Sequence, residues 1–339
     1  MDQNRVAVVV IGRNEGDRLQ RCLRSIPAEI CTVYVDSGST DDSVAFARAL
    51  GITALPLNMS IGFTAARARN VGWRYIAEQG NNAEFVQFVD GDCVLDDCWL
   101  EKALESIRSE RKLAAVFGRR REVHPQKSVY NRMCDDEWNV PIGDAPSCGG
   151  DALFRMAALQ AAEGYSDNLI AGEEPDLCLR LRQSGWTIRR IDAEMTRHDA
   201  NILTFGSWWK RAKRGGFAYA AHVLRHRQHS DPQWRRQLRS ITFWGFFWPA
   251  FALFLAVLCG FQDSTAAMLI CVALIASYAL QILRIAMRKH TLRFTWRFSI
   301  QYAALIVVGK LAEFSGALQC LISHILNRQN RIIEYKGTA

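Results

Sequence analysis

Residues 85–92 read Phe-Val-Gln-Phe-Val-Asp-Gly-Asp, an apolar run that ends in two aspartates on either side of a glycine. The apolar run predicts a buried strand, and Gly91 lets the backbone turn tightly after it at little steric cost. Asp90 and Asp92 would then stand at the carboxyl end of that strand, which is where an open α/β sheet binds its ligands. The stretch therefore predicts a ligand site at one edge of a sheet.

The two carboxylates admit two interpretations. Hard oxygen ligands of this kind suit Mg²⁺ or Mn²⁺, and such a metal usually carries a phosphate group with it. Asp and Gly are also ordinary turn residues, and many surface turns contain Asp-x-Asp. The choice between a metal–diphosphate site and a simple turn therefore depends on the rest of the chain.

The order of elements around this stretch predicts an α/β fold with a parallel, doubly wound, Rossmann-like sheet. Apolar, β-branched runs alternate with segments in which apolar residues recur at helical spacing. Strands that alternate with helices in this way pair in parallel. The strands are expected at 5–12, 31–35, 52–57 and 85–89, and the helices at 17–26, 43–50 and 63–78.

The chain after residue 92 is less regular. One long segment is rich in Asp, Trp and Asn, and a long loop inside a compact domain often binds a ligand. The predicted elements are helices at 96–108, 152–163 and 177–184, strands at 113–119 and 186–191, the loop at 125–146, and basic, aromatic helices at 206–239.

Two uncharged apolar stretches, 241–261 and 264–283, have the length of transmembrane helices. Only a short polar break, Gln262 and Asp263, separates them, so we expect a hairpin. Basic residues flank the hairpin on both sides, and the positive-inside rule places those flanks in the cytoplasm. In a chain of formal net charge +8, this clustering favours an anionic membrane surface over nucleic acid as the partner.

A third apolar segment, 299–326, is amphipathic. Its apolar residues fall on one helical face, and the chain carries Lys310 and Glu313 in the middle of the segment. This pattern is typical of a helix that lies in the membrane interface. The alternative is a third span whose polar face packs against the hairpin.

The cysteines and the N-terminus indicate that the first domain lies in the cytoplasm. The ten cysteines are scattered without zinc-site spacing, which favours reduced thiols over a disulfide framework. The apolar run after Arg5 is too short and wrongly flanked for a signal peptide. We therefore expect the domain 1–205 to stay in the cytoplasm, with the apolar segments in a membrane.

Asp36 follows the second predicted strand, so its side chain can meet those of Asp90 and Asp92 in one crevice. It could hydrogen-bond a nucleobase or a ribose, or serve only as a turn or helix-capping residue. Arg67 or Arg69, on the intervening helix, could neutralise a diphosphate. The sequence lacks the glycine-rich dinucleotide signature and the Walker A phosphate loop, which argues against a dehydrogenase or a P-loop enzyme.

Five motifs, in this order, resemble those of the family 2 glycosyltransferases of GT-A fold, of the membrane-anchored bacterial type. They extend over about residues 5–215, and each is weak alone whereas the set is specific. The motifs are Val-Val-Val-Ile-Gly-Arg-Asn-Glu at 8–15, Val-Asp-Ser-Gly-Ser-Thr-Asp-Asp-Ser at 35–43, Ala-Arg-Asn-Val-Gly at 68–72, Val-Asp-Gly-Asp at 89–92 and Glu-Glu-Pro-Asp-Leu-Cys-Leu-Arg-Leu at 173–181.

The resemblance implies roles for individual residues. Asp36 looks like the aspartate that contacts uracil or guanine, and Asp90 and Asp92 look like the Asp-x-Asp pair, with Asp92 on Mn²⁺ or Mg²⁺. Glu173-Glu174 matches the family's Glu-Asp element, so Glu174 stands where an aspartate base is more usual. The other implied positions are His198 at the metal, and Gly12, Asn14, Glu15, Arg67, Arg69, Gly149, Gly150, Arg211 and Arg214 toward the nucleotide or the donor sugar.

Several of these positions have a simpler interpretation from the residues alone. A single histidine such as His198 is more often a packed or surface residue than a ligand. Gly149 and Gly150 are also typical of a turn before a helix. The basic, aromatic segment that holds Arg211 and Arg214 is equally typical of a juxtamembrane anchor.

The expected reaction is an inverting transfer of a sugar from a UDP- or GDP-linked donor to a membrane-held, lipid-linked acceptor, in cell-surface polysaccharide or glycolipid synthesis. Glu174 would take the proton of the acceptor hydroxyl. The alternatives are a polyprenyl-phosphate glycosyltransferase, a processive polysaccharide synthase and a non-catalytic membrane scaffold. The Gln-x-x-Arg-Trp motif of polymer synthases is missing, which disfavours the processive reaction.

Overall fold

A computed structural model describes residues 5–80, 82–261 and 263–326 of the chain. Within these residues the chain divides into two units, with the boundary between Ile202 and Leu203. The predictions that fall on residues 1–4, on Gln262 and on the residues after 326 lie outside the described part.

The first unit is built on a mixed sheet, which has nine strands in the described part of the chain. Its strands are β1 Val6–Gly12, β2 Cys31–Asp36, β3 Thr53–Pro56, β4 Phe85–Asp90, β5 Cys93–Leu95, β6 Leu113–Glu122, β7 Gly143–Asp144, β8 Ala152–Arg155 and β9 Thr187–His198. They lie in the order β3-β2-β1-β4-β8-β6-β9-β5, and β7 pairs with β9. The helices of this unit are α1 Asp17–Arg24, α2 Ser43–Ala49, α3 Ala65–Glu78, α4 Trp99–Ser109, α5 Val129–Glu137, α6 Met156–Ala161 and α7 Glu173–Gln183.

The first half of the sheet is parallel, as predicted. Strand β1 pairs in parallel with β2 and β4, and β2 pairs in parallel with β3. The five residues from Val6 to Val10 are at most 2% exposed. This burial explains the unbroken apolar run of β1, because a strand covered on both faces needs apolar side chains on both.

The second half of the sheet is mixed, so the prediction of a parallel sheet is wrong there. Strand β8 runs antiparallel to both β4 and β6. The segment 152–163, predicted as one helix, forms β8 with its first four residues, and only Met156–Ala161 is helical. A short buried apolar run has no periodicity that separates a strand from a helix, which is why the strand was missed.

Two other predictions are corrected. The segment 125–146 is not an irregular loop, because it contains α5, whose first turn is capped by Ser128. The strand predicted at 186–191 continues as β9 to His198, with register shifts against β6. Strand β5 pairs with β9, which the sequence did not predict. This pairing places His198 opposite Cys93 and therefore close to Asp92.

The second unit is helical in its described part. Its elements are α8 Phe205–Arg225, α9 Pro232–Thr242, a π-helical segment Phe243–Phe247, α10 Trp248–Gly260, α11 Ser264–Thr291 and α12 Trp296–Ile325. Three stretches are long and apolar enough to cross a membrane, namely Pro232–Gly260, Ser264–Thr291 and Trp296–Ile325. The third stretch meets the same criteria of length and composition as the first two, and its interfacial or spanning placement stays a prediction.

The middle of α12 packs closely on α8. Lys310 and Glu313 of α12 form an ion pair, with 2.7 Å between Nζ and Oε2. Gly216 of α8 lies against the backbone of Glu313, and Gly316 of α12 lies against the backbone of Lys213. Glycines on both helices let the two backbones approach, as in tightly packed helix pairs of membrane proteins. Polar positions of the amphipathic segment therefore lie at a contact between two helices.

Replacing Gly216 by Ala is expected to lower the free energy of unfolding by about 2 kcal/mol, because overpacking a tight contact forces the backbones apart. The added Cβ would lie 1.8 Å from the Glu313 carbonyl oxygen, whereas a Cβ at Gly215 would meet nothing within 4 Å. Gly215→Ala is the matched control and should stabilise the helix by about 0.5–1 kcal/mol. Thermal unfolding in detergent measures both changes, and equal melting temperatures would contradict the close contact.

Candidate active site

The turns that follow β1, β2 and β4 meet at one edge of the sheet, as predicted. Gly12 at the end of β1 lies opposite Asp36 of β2, and Ile11 lies opposite Asp90 of β4. Asp36 and Asp90 therefore end the strands on either side of β1. A ligand that lies across the end of β1 can reach both carboxylates.

Asp36 holds the turn after β2. Its carboxylate accepts hydrogen bonds from the backbone N–H groups of Gly38, at 3.0 Å, and Ser39, at 2.9 Å. It also accepts one from the Tyr34 hydroxyl at 2.9 Å, and burial together with the charge of Asp36 raises the pKa of Tyr34, so the hydroxyl stays a donor. These contacts match the turn interpretation of Asp36, and its contact with a nucleobase stays a prediction.

Asn14 joins the loop after β1 to the loop after β2. Its backbone N–H donates to Ser39 Oγ at 2.9 Å, and its side-chain oxygen accepts from the backbone N–H of Thr40 at 2.7 Å. Glu15, the next residue, pairs with Arg18 at 2.9 Å. The two loops thus form one connected rim at the end of β1, and the nucleotide contacts predicted for Asn14 and Glu15 remain predictions.

Arg69 is the centre of a charged cluster. It lies on α3, is 2% exposed, and its Nη2 is 2.9 Å from Asp90 Oδ1. Its Nη1 is 3.3 Å from Glu173 Oε1 and 3.1 Å from Glu174 Oε1. Arg67, two residues earlier, instead donates to backbone carbonyl groups of Asn58 and Ile61. Of the two candidate arginines, the structure therefore brings Arg69 to the carboxylates.

Arg120 and Asp151 belong to the same cluster, although the sequence did not single them out. Arg120 Nη2 lies 3.0 Å from Asp90 Oδ2, and its Nε lies 3.3 Å from Asp151 Oδ2. Asp151 also accepts from the backbone N–H of Asp90 at 2.9 Å and from the Thr196 hydroxyl at 2.7 Å. The available signal was the basic run 119–121, in which strand geometry turns Arg120 away from its neighbours.

Gly150 lets the backbone approach the pair of Arg69 and Asp90. A Cβ at this position would lie 2.4 Å from Arg69 Nη2 and 3.0 Å from Asp90 Oδ2, whereas a Cβ at Gly149 would meet nothing within 4 Å. Any larger residue at 150 would therefore push into the ion pair. The donor-sugar contacts predicted for both glycines stay predictions.

Asp92 and His198 fit a metal ion. Asp92 Oδ2 lies 3.1 Å from His198 Nε2, both residues are buried, and Cys93 offers a third ligand atom within 4.8 Å. Burial and the charge of Arg120 lower the pKa of His198 to about 3, so the ring is neutral, as metal binding requires. His198 Nδ1 is buried and has no hydrogen-bond partner among the described residues. A carboxylate and a neutral imidazole at one point can hold Mn²⁺ or Mg²⁺.

Asp90, also predicted as a metal ligand, has a different environment. Its two carboxylate oxygens are in ion pairs with Arg69 and Arg120. It forms a group of close ligand atoms with Cys93 and Asp151, but a cation there would have to displace two guanidinium groups. The geometry therefore favours Asp92 over Asp90 as the ligand.

Glu174 has a pKa suited to a base. It lies in the first turn of α7, where burial and the negative charge of Glu173 together raise its pKa to about 7, against the opposing effect of Arg69. Its side chain is 17% exposed, against 5% for Glu173. A more accessible carboxylate with a pKa near neutrality can accept a proton from a hydroxyl group at physiological pH.

Arg211 and Arg214 lie on α8, in the second unit. Trp208, on the same helix, is buried and packs near Gly309 of α12. Packing within the second unit explains why Trp208 is buried. The diphosphate contacts predicted for the two arginines remain predictions.

Comparison with known families gives two matches. The family described as Glycosyl transferase family 2 matches residues 7–149. The family described as Glycosyl transferase family group 2 matches residues 85–283, which is more than half of the chain. The second match extends past the sheet into the first two candidate membrane stretches.

Individual relatives are distant. The pre-mycofactocin glycosyltransferase of Mycobacterium tuberculosis is 24% identical over 244 residues, which are 67% of this chain and 49% of that protein, so the chain spans about half of its length. Glycosyltransferase AglE of Haloferax volcanii is 24% identical over 225 residues, 62% of this chain and 71% of that protein. The mannosyltransferase PcManGT of Pyrobaculum calidifontis, solved with GDP-Man and Mn²⁺, superposes with a TM-score of 0.55 at 17% identity, over 94% of this chain and 87% of that chain. That likeness shows a common fold.

Proposed function

Because the chain belongs to the family 2 glycosyltransferases, we propose that its first unit transfers a sugar from a nucleotide-diphospho-sugar to an acceptor hydroxyl. The observation that carries the proposal is the cluster around Arg69, which joins the Asp-x-Asp turn to the Glu173-Glu174 pair. The guanidinium group of Arg69 thereby fixes how far the turn predicted to hold the donor lies from the predicted base. The GDP-Man and Mn²⁺ in the complex of PcManGT support a donor and a metal of these classes.

The metal would be held by Asp92 and His198, the buried pair at 3.1 Å. A divalent ion bound there would supply positive charge that stabilises the departing diphosphate. Arg120, which contacts Asp90 and Asp151, fixes the turn that carries Asp92. Arg69 and Arg120 thus each hold one carboxylate oxygen of Asp90 in the Asp-x-Asp turn.

Glu174 would act as the general base. It accepts the proton of the acceptor hydroxyl as that oxygen bonds to the anomeric carbon, and the bond from that carbon to the diphosphate breaks. One displacement of this kind inverts the configuration at the anomeric carbon. The pKa of about 7 leaves a useful fraction of Glu174 ionised at neutral pH.

The proposed acceptor is a lipid-linked molecule of cell-surface polysaccharide or glycolipid synthesis. Three helical stretches of the described residues are long and apolar enough to cross a membrane, so the chain can be tethered where such acceptors reside. The basic flanks of the hairpin support a cytoplasmic catalytic unit at the inner membrane of a bacterium.

A nucleotide panel tests the proposed function. The full-length protein in detergent, with Mn²⁺, should be stabilised by about 5 °C or more by UDP, GDP or one of their sugar conjugates at saturating concentration. Uridine and guanosine, which lack the diphosphate, are the controls and should have little effect. Donors that stabilise are then tested for transfer to lipid extracts. If no nucleotide diphosphate raises the melting temperature, the proposed function is wrong.

A further inference from the structure

A cavity of about 640 Å³ opens in the second unit, beside the start of the first candidate membrane stretch. It lies between the end of α8, the length of α9 and the π-helical segment Phe243–Phe247. Its volume is in the range of sites that bury most of a small ligand. A π-helical turn is rare and is frequently found at functional sites, so this segment is a second unusual feature at the same place.

The lining of the cavity carries positive charge. Arg227, Arg235 and Arg239 line it, and no acidic side chain does so within the described part of the chain. Nη2 of Arg235 donates to the backbone carbonyl of Arg227, which ties α9 to the turn that follows α8. Nε of Arg235 is buried and has no hydrogen-bond partner among the described residues. Three guanidinium groups at one cavity leave a positive charge that an anion can neutralise.

None of these three arginines is in an ion pair within residues 5–80, 82–261 and 263–326. The surrounding sequence offers few carboxylates, since residues 203–326 contain three acidic residues and fifteen lysines and arginines. The acidic side chains of this segment can therefore neutralise only a few of its lysines and arginines. An external anion can supply the negative charge that complements these arginines.

Apart from Thr242, the rest of the cavity lining is apolar. Leu238, Phe243 and Phe247 line it, and the two phenylalanines are 45% and 59% exposed. A free phosphate would satisfy the arginines and leave these walls in contact with water, at a cost proportional to their apolar area. A molecule with a phosphate at one end and a hydrocarbon chain at the other satisfies both parts of the site.

We propose that this cavity binds an anionic glycerophospholipid of the bilayer, with its phosphate on Arg227, Arg235 and Arg239 and an acyl chain against Leu238, Phe243 and Phe247. Basic pockets beside membrane helices are a known form of lipid headgroup recognition. The site is separate from the proposed transfer reaction and does not depend on it. Its role is to hold the juxtamembrane helices α8 and α9 at an anionic membrane surface.

The experiment measures binding of phosphatidylglycerol to the full-length protein in detergent by native mass spectrometry. The test variant is Arg227→Gln/Arg235→Gln/Arg239→Gln. The matched control is Arg236→Gln/Arg284→Gln/Arg288→Gln, which removes three exposed arginines of the same unit that do not line the cavity. We expect the test variant to bind on the order of a hundredfold more weakly, since each arginine near an anionic headgroup contributes about a factor of five. The control should lose no more than a few-fold.

A second pair of variants keeps every charge. Leu238→Trp fills the cavity, whereas Gln237→Trp places the same side chain at the neighbouring position, which does not line it. We expect Leu238→Trp alone to lose phosphatidylglycerol. Three results would overturn the proposal: equal loss in both arginine triples, equal binding of phosphatidylcholine, or displacement of the lipid by glycerol phosphate at equal concentration, which would indicate a site for free anions.

Discussion

Replacing Asp92 by Asn is expected to lower kcat/KM for sugar transfer about a thousandfold, since metal stabilisation of developing charge is worth several kcal/mol. Asp92 is 3% exposed and faces His198 Nε2 at 3.1 Å, so the substitution removes a charged ligand without opening space. Mn²⁺ binding, followed by electron paramagnetic resonance of the free ion, should weaken in parallel. This second measurement separates loss of the metal from loss of activity by another route.

Asp97→Asn is the matched control for this prediction. Asp97 is exposed, lies five residues further along the chain, and has no contact with the charged cluster. It should bind Mn²⁺ and turn over as the unaltered protein does. An Asp92→Asn protein that kept full metal-dependent transfer would show that the metal is held elsewhere, with the group of Asp90, Cys93 and Asp151 as the next candidate.

Replacing Glu174 by Gln is expected to lower kcat by about 10²–10⁴-fold, the usual contribution of a general base. The amide keeps the size of the side chain and cannot accept the proton. In the unaltered protein the base works only when ionised, and the pKa of Glu174 is about 7. The rate should therefore fall about tenfold per pH unit below pH 7 and level off above it. The variant should lose this dependence.

Two further substitutions test which of the two glutamates, Glu173 or Glu174, is the base. Glu173→Gln removes the other carboxylate of the pair, and by lowering the negative charge beside Glu174 it should shift the pH profile to lower pH while turnover persists. Glu174→Asp restores the residue type that is more usual in the family and should keep part of the activity, since a shorter carboxylate can still accept a proton. Turnover in Glu174→Gln together with its loss in Glu173→Gln would move the base to Glu173.

The sequence was sufficient wherever the structure depends on neighbours along the chain. The strand that ends at Asp90 and the parallel order of β1 to β4 follow from local periodicity and from the alternation of strands with helices. The convergence of Asp36 and Asp90 follows in turn, because parallel strands end at the same edge. The apolar stretches were equally visible, because length and composition are enough to recognise them.

Tertiary structure was needed wherever partners are distant in sequence. Strand β8 was hidden because its four residues become a strand only by pairing with β4 and β6. The choice of Arg69 over Arg67 depends on how α3 is rotated against the sheet, and the pairing of Arg120 with Asp90 and Asp151 spans about thirty residues in each direction. The raised pKa of Glu174 depends on burial beside Glu173 and Arg69, and burial is a property of the packed chain.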